Sequence, residues 1–474
     1  MKTPFLVAAY ILLFLTTTFA QHQETNEKPV SYKGAKNQYS DTNSLLYAFK
    51  TGQHSGHFRS FFMATDNQQG LTDYFAQALG GGLHYNTAVY RGFQFGISGF
   101  YIFNVASSNL AKVDTASGQS SRYEIGLFDQ ENFLNKRDID RLEELFLKYH
   151  FHKIHLTFGR QLINTPFINL QDGRMRPTGV EGLWFTSDKL NKTKLEGGWL
   201  YAVSPRGSTK WFGVSESIGF YPSGVNIDGS KSNYHENLES NGLGMLGVTH
   251  QATKRLKFTI WEMYADNLFN SALFQLDMNK ELKANREMYV SGQFIRQDAI
   301  NDGGNADQSK TYFSKNGKAM TFGARVGIRS KKYDVSLNFN RITSHGRYLM
   351  PREWGRDPFF TFMPRERNEG LGNSTALVLK SSYNFPKSRV KTSLAAGYIK
   401  NPDVTDAALN KYAFPSYFQM NVDIRYTFDK FFKGLDAQFL IASKFAAGET
   451  YGNARYIHNK VNLITYNFLL NYHF

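Results

Sequence analysis

The chain has 474 residues, with 55 Lys and Arg against 40 Asp and Glu, no cysteine, and 73 aromatic residues (41 Phe, 27 Tyr, 5 Trp). The missing cysteines exclude a disulfide framework, a thiolate metal site and a cysteine nucleophile. A mean hydropathy of −0.43 excludes a bundle of membrane helices, and after residue 20 no stretch approaches the ~18 uninterrupted apolar residues of a spanning helix.

The first predicted element is an address. Met1-Lys2 is followed by an apolar run from Phe5 to Leu15, with small residues at Thr18 and Ala20 before Gln21. This is the pattern of a secretory signal peptide over residues 1–20, and it is too short for a membrane span. Residues 21–43 are polar and turn-rich and read as a periplasmic lead-in to a barrel domain over 44–474.

From there the period is two. Phe93, Phe95, Ile97, Gly99, Tyr101 and Phe103 share a face, as do Leu145, Leu147, Tyr149 and Phe151, and Ala272, Phe274, Leu276 and Met278. Phe322, Ala324, Val326 and Ile328 face away from Gly323, Arg325, Gly327 and Arg329. Phe418, Met420, Val422, Ile424, Tyr426 and Phe428 alternate with Gln419, Asn421, Asp423, Arg425 and Thr427. Leu435, Ala437, Phe439 and Ile441 oppose Asp436, Gln438 and Lys444. The last ten residues alternate up to the terminal Phe474, whose place at the end of the final strand marks it as an assembly signal for the barrel-assembly machinery. Segments 180–187, 194–203 and 255–264 alternate only weakly.

The links also alternate. Eight short ones lie near 88–91, 152–153, 188–193, 252–254, 279–285, 330–332, 385–389 and 429–433. Nine longer ones lie near 66–76, 105–142, 161–179, 204–241, 265–270, 298–318, 343–373, 400–415 and 446–458. The expected fold is therefore all-β: an eighteen-stranded transmembrane antiparallel barrel with periplasmic turns and long outer loops. Hydrocarbon cannot satisfy an open edge, so the sheet must close, and a barrel of this size encloses an aqueous channel unless loops narrow it.

Two loops are expected to do so. The third carries apolar Leu162, Ile163, Phe167, Ile168, Leu170 and Met175 beside Asp172, Arg174 and Arg176, a composition suited to folding inward. The seventh alternates aromatic anchors with Arg347, Arg352, Arg356, Asp357, Arg365 and Arg367. Guanidinium forks suit carboxylates. On the polar strand faces Arg59, Lys148, Arg325, Arg329, Arg425 and Lys444 form a basic ladder, which would concentrate anions within low-dielectric walls.

His57–Asp66, Asp73–Gly82 and Gly92–Gly96 resemble the start of the OprD-family porins of Gram-negative outer membranes. Gly159–Pro166 with Asp172-Gly-Arg-Met-Arg-Pro177 resembles the third loop of that family, and Trp354-Gly-Arg-Asp-Pro-Phe-Phe360 its seventh-loop region. The resemblance spans about 44–474. It implies a substrate-selective channel, monomeric or weakly trimeric, whose third and seventh loops constrict the lumen; no phosphate-binding loop offers an energy source, so transport is expected to be passive. Asp172, Arg174 and Arg176 are then constriction residues, with Arg352, Arg356 and Asp357 beside them. The expected solutes are small anions or zwitterions bearing a carboxylate: amino acids, peptides or organic acids. Sugars such as chitin fragments are the alternative within the same fold.

Other groupings read more plainly. His150, His152 and His155 surround a tight turn without the three or four converging ligands of a metal site, so no metal or cofactor is expected. The acidic segment Asp298, Asn301, Asp302, Asn305 and Asp307 lacks the spacing of an EF-hand and reads as solvated loop. The basic excess is dispersed over lumen positions, which argues against nucleic acid. No local Ser–His arrangement argues for an outer-membrane enzyme. Trp211, Trp261 and Trp354 read as interfacial or loop anchors.

Overall fold

A computed structural model describes residues 44–132, 139–170 and 174–474. The segments expected to be a signal peptide (1–20) and a lead-in (21–43), and Asp172, lie outside the described residues. A short helix, Leu45–Lys50, capped by Ser44, leads into β1 (Gln53–Asp66). There follow β2 (Tyr74–Asn86), β3 (Phe93–Ser107), β4 (Ile139–Phe151), β5 (Ile154–Gln161), β6 (Gly179–Ser187), β7 (Thr193–Ser204), β8 (Phe212–Gly213) and β9 (Leu243–Thr253). Then come β10 (Leu256–Ala265), β11 (Phe269–Leu282), β12 (Arg286–Ala299), β13 (Lys318–Arg329), β14 (Tyr333–Ile342), β15 (Thr375–Phe385), β16 (Val390–Lys400), β17 (Tyr417–Thr427), β18 (Leu435–Ala446) and β19 (Leu463–His473). β8 is a two-residue strand that pairs only with β7; the other eighteen each pair antiparallel with both neighbours.

Closure runs through β1 and β19, in register from His57 opposite His473 to Asp66 opposite Ile464. Phe474 extends the seam. Its backbone exchanges two 3.0 Å hydrogen bonds with Gly56, and its ring stacks on Phe58 and Tyr472. A Cβ on Gly56 would lie 2.4 Å from that ring, so the seam requires glycine there.

The alternation is an inside–outside division. In β17, Phe418 and Ile424 are 54% and 41% exposed, while Gln419, Asn421 and Asp423 between them are 2%, 1% and 1% exposed. An outer face of exposed Phe, Leu, Ile and Tyr is what hydrocarbon tolerates, and a polar inner face is what water requires. Eight short turns and nine loops connect the strands as expected, with one exception: the fifth loop, expected over 265–270, is only the three residues between Ala265 and Phe269.

The inner wall is not polar throughout. Val180, Trp184, Leu200, Met245, Trp261 and Met263 point inward and pack with Phe167, Ile168 and Trp354 from the loops. Trp261 thus sits in an internal core, stacked on Trp184, and not at a membrane interface. A second cluster joins Phe61, Met63, Ala76, Phe100 and Ile102 of the wall to Leu127, Phe128 and Met175 of the second and third loops. Inward apolar residues on the outer half of the barrel therefore hold the loops inside it.

Candidate functional site

The third loop turns inward immediately after β5. Thr165 bends it locally: its hydroxyl accepts from the backbone N–H of Phe167 (3.2 Å) and Ile168 (2.9 Å). Phe167 and Ile168 are fully buried, each contributing ~1.5–3 kcal/mol on the scale of apolar side-chain burial, against ~1–2 kcal/mol per residue for fixing the backbone. The seventh loop, between β14 and β15, meets it edge to edge. Asn169 Nδ2 donates to the Arg356 carbonyl (2.9 Å), the Arg356 N–H donates to Asn169 Oδ1 (3.2 Å), and the Thr178 hydroxyl donates to the Glu353 carbonyl (2.6 Å). Gly355, at φ +153°, permits this approach, since a Cβ there would come within 2.9 Å of Asn169. Trp354 anchors the loop, fully buried, with its indole N–H on Ser217 Oγ (3.0 Å).

Where the two loops meet the wall, a cavity of about 250 Å³ remains. Thr165, Pro166 and Asn169 line it from the third loop, residues 356–360 from the seventh, and Gln275, Gln293, Arg325, Asn338 and Lys380 from β11 to β15. Three cations converge. Arg325 lies over the Phe360 ring (4.5 Å), donates to Ser291 Oγ (3.0 Å) and pairs with Asp277 of β11 (3.4 Å), while its buried Nε has no hydrogen-bond partner. Arg356 lies over Phe362 (4.6 Å). Lys380 Nζ donates to the Phe360 and Phe362 carbonyls, both at 2.7 Å, leaving one of its three donors. Asp357 accepts from the Asn368 N–H (3.0 Å) through one carboxylate oxygen, and the other is buried without a partner. Burial raises the Asp357 carboxyl above its usual range, with Arg367 opposing. Two guanidinium groups and one ammonium, backed by aromatic rings, thus border a narrow passage that a carboxylate fits by charge.

Of the residues singled out from sequence, Arg325, Arg356 and Asp357 meet here. Arg174 and Arg176 do not. Arg176 turns to the wall, with Nε 2.7 Å from Glu143 Oε1 and a second bond to the same carboxylate; its Nη1 lies 2.6 Å from His57 Nε2 and its guanidinium covers Phe100. Arg141 shares Glu143 (2.7 Å). Arg174 is buried, and Arg59 bonds its carbonyl (2.5 Å) while Arg59 Nε reaches Asn471 (2.7 Å). These groups tie the third loop to the closing seam. Lys444 lies beneath the seventh loop, donating to the Arg365 carbonyl (2.5 Å). Arg352 sits 3.6 Å from Glu369, which also pairs with Lys411 (3.3 Å). Burial alone would raise Glu369; Lys411 and Arg352 outweigh it and hold its carboxyl below the usual range. Towards the short turns, Arg329 pairs with Glu287 (2.7 Å), Arg425 with Asp423 (3.0 Å), and Lys148 is half-buried.

Lys380, Gln275, Gln293 and Asn338 were not singled out. The signal for Lys380 was present: Leu377 and Leu379 point outward, which places Lys380 inward beside Ala376 and Val378. The amides carry no charge to mark them, and only the register gathers them. His150 and His155 bring their Nδ1 atoms to 2.9 Å, yet no group of three metal-ligating side chains forms among the described residues. The acidic segment disperses, Asp298 to Arg296 (2.6 Å) and Asp302 to Lys315 (2.7 Å).

The family described as outer membrane porin, OprD family, matches residues 49–350, more than half of the chain. No curated protein matches. Among solved structures, Pseudomonas aeruginosa OpdK with vanillate superposes with a TM-score of 0.68 at 12% identity, covering 90% of this chain and 99% of that one. P. aeruginosa OccK2 (OpdF) in complex with glucuronate gives 0.67 at 11% identity, covering 90% and 98%. Acinetobacter baumannii OccAB4 gives 0.68 at 16% identity, covering 89% and 98%. With this profile match and a closed eighteen-stranded barrel constricted by inward loops, the chain belongs to the OprD family of outer-membrane porins.

Proposed function

We propose that this porin conducts small carboxylate-bearing solutes passively, with the cavity between the third and seventh loops as its selectivity site. The observation that carries the reading is the convergence of Arg325, Arg356 and Lys380 on one narrow, aromatic-backed space. A carboxylate entering it exchanges hydration for fixed N–H donors, with two guanidinium groups and an ammonium in reach. Gln275, Gln293 and Asn338 supply uncharged contacts for the rest of the solute. Asp357 steadies the seventh-loop backbone and offers a counter-charge to an ammonium, which admits zwitterions. Lys148 extends the polar lining towards the periplasm, where Arg329 and Arg425 stand as ion pairs with Glu287 and Asp423. Arg59, Arg174, Arg176, Lys444 and Arg352 act as positioning residues, holding the loops in place. Phe474 serves as the assembly signal. Vanillate and glucuronate, found with two structural neighbours, both carry a carboxylate, which supports the same class here.

Liposome swelling with a matched panel of organic acids, amino acids and neutral sugars tests this. Entry of the acids is expected to exceed that of neutral solutes of equal size. Faster entry of chito-oligosaccharides or other neutral sugars than of any carboxylate would contradict it and favour a sugar porin.

A further inference from the structure

The charges at the two ends of the barrel are distributed very differently. The nine outer loops are balanced, with seventeen Lys and Arg against nineteen Asp and Glu among the described residues. Each of the eight short turns, by contrast, carries at least one Lys or Arg. They total thirteen against two acids, Asp188 and Asp429. All thirteen are exposed. Lys331, Lys332, Lys387, Lys430 and Lys433 have no acidic partner among the described residues. The passage of a solute needs no such ring outside the lumen, and an outward-pointing lysine at the rim adds nothing to the constriction.

The same rim exposes apolar side chains. In the turn between β17 and β18, Phe431 is 91% exposed and Phe432 54%. Their rings continue the outer face of the barrel: Tyr426 contacts Phe428 (4.7 Å), Phe428 contacts Phe432 (6.2 Å), and Phe432 contacts Phe431 (5.1 Å). The helix Leu45–Lys50 at the same end likewise exposes Leu45 and Leu46. A polyanion dissolved in the periplasm gives no reason for aromatic rings to extend the lipid-facing wall. A bilayer interface gives one: rings sit at headgroup depth while adjacent Lys and Arg reach phosphate.

We propose that the ring of short turns is a binding surface for anionic phospholipid headgroups of the periplasmic leaflet, with the Phe431 and Phe432 rings seated at headgroup depth. It rests on the placement of the barrel in the outer membrane and is independent of the carboxylate reading. To test it, the full-length barrel is reconstituted in vesicles of equal phosphatidylglycerol and phosphatidylcholine, extracted, and its retained lipid quantified. Phosphatidylglycerol is expected to be enriched at least about fivefold, the ratio one cation at an anionic surface supplies, and the enrichment to fall as salt rises. The combined variant Lys331→Gln, Lys332→Gln, Lys387→Gln, Lys430→Gln and Lys433→Gln should lose most of it. Neutralising five outer-loop lysines, Lys112, Lys210, Lys231, Lys310 and Lys315, should leave it intact. Equal retention of the two lipids by the native barrel, enrichment insensitive to salt, or equal loss in both variants would overturn the proposal. So would rim-dependent binding of soluble dextran sulfate without any lipid preference. The salt series uses unaltered protein, so a variant that fails to fold leaves the proposal testable.

Discussion

Arg176 shows how a guanidinium on a constricting loop can be spent on architecture. Glu143 takes both of its forks and His57 a third contact, so its charge is answered before a solute arrives. Arg176→Met should untie the third loop from the wall. The expected result is higher single-channel conductance and weaker discrimination between acids and neutral solutes; unchanged conductance would remove the tethering role. Glu366 is a different case. It is fully enclosed in the seventh loop, accepts from the Met363 N–H (2.8 Å) and Asn368 Nδ2 (2.8 Å), and burial pushes its carboxyl up to about 7, against those bonds and the pull of Lys444. A carboxyl raised on folding binds its proton more tightly in the folded loop than in the unfolded chain. The stability it contributes is fully present below about 4.5 and is lost as pH rises to about 7, on the order of 3 kcal/mol in all. The protection of the Met363 and Asn368 amides, taken relative to their intrinsic exchange rate at each pH, should therefore fall between those limits. Glu366→Gln, which keeps the shape without the titrating carboxyl, should flatten that profile; the same loss of protection in the variant would contradict the assignment.

At the scale of elements, the inward loops are held by apolar burial more than by charge. Trp354 is enclosed by Phe269 of the wall and bonded to Ser217 of the fourth loop. Trp354→Ala should cost ~3–5 kcal/mol of the burial that holds the loop inside. The seventh loop should then leave the lumen, seen as a raised and noisier conductance and as proteolytic cleavage between Arg347 and Arg367; a quiet, unaltered channel would argue against it. The same burial explains what the sequence could and could not disclose. Strands β17 and β19 alternate cleanly because their outer face meets lipid and their inner face is largely polar. Strands β6, β7 and β10 alternate weakly because Trp184, Leu200 and Trp261 point inward to a loop core. An apolar residue on the inner face looks, in sequence, like a broken period. The third and seventh loops were legible from their misplaced hydrophobes. The direction of their arginines was not, because Glu143, which captures Arg176, lies in β4, thirty-three residues away.

For the whole molecule, closure and constriction are linked. The seam between β1 and β19 carries Arg59 and Asn471, and through the Arg174 carbonyl that pair holds the third loop against the cavity. The barrel thus places five strands, β11 to β15, opposite two loops, so that cations far apart in sequence share one passage. The eighteen strands were countable from link lengths, but that Lys380 completes the set depended on register between strands whose partners no local pattern specifies. The charge of this passage is read by the reversal potential of single channels across a salt gradient, for the native barrel and for Arg325→Gln with Arg356→Gln. The native channel should be anion-selective, and the variant should shift towards zero while retaining its conductance steps. A cation-selective native channel, or a variant whose reversal potential does not move, would contradict it.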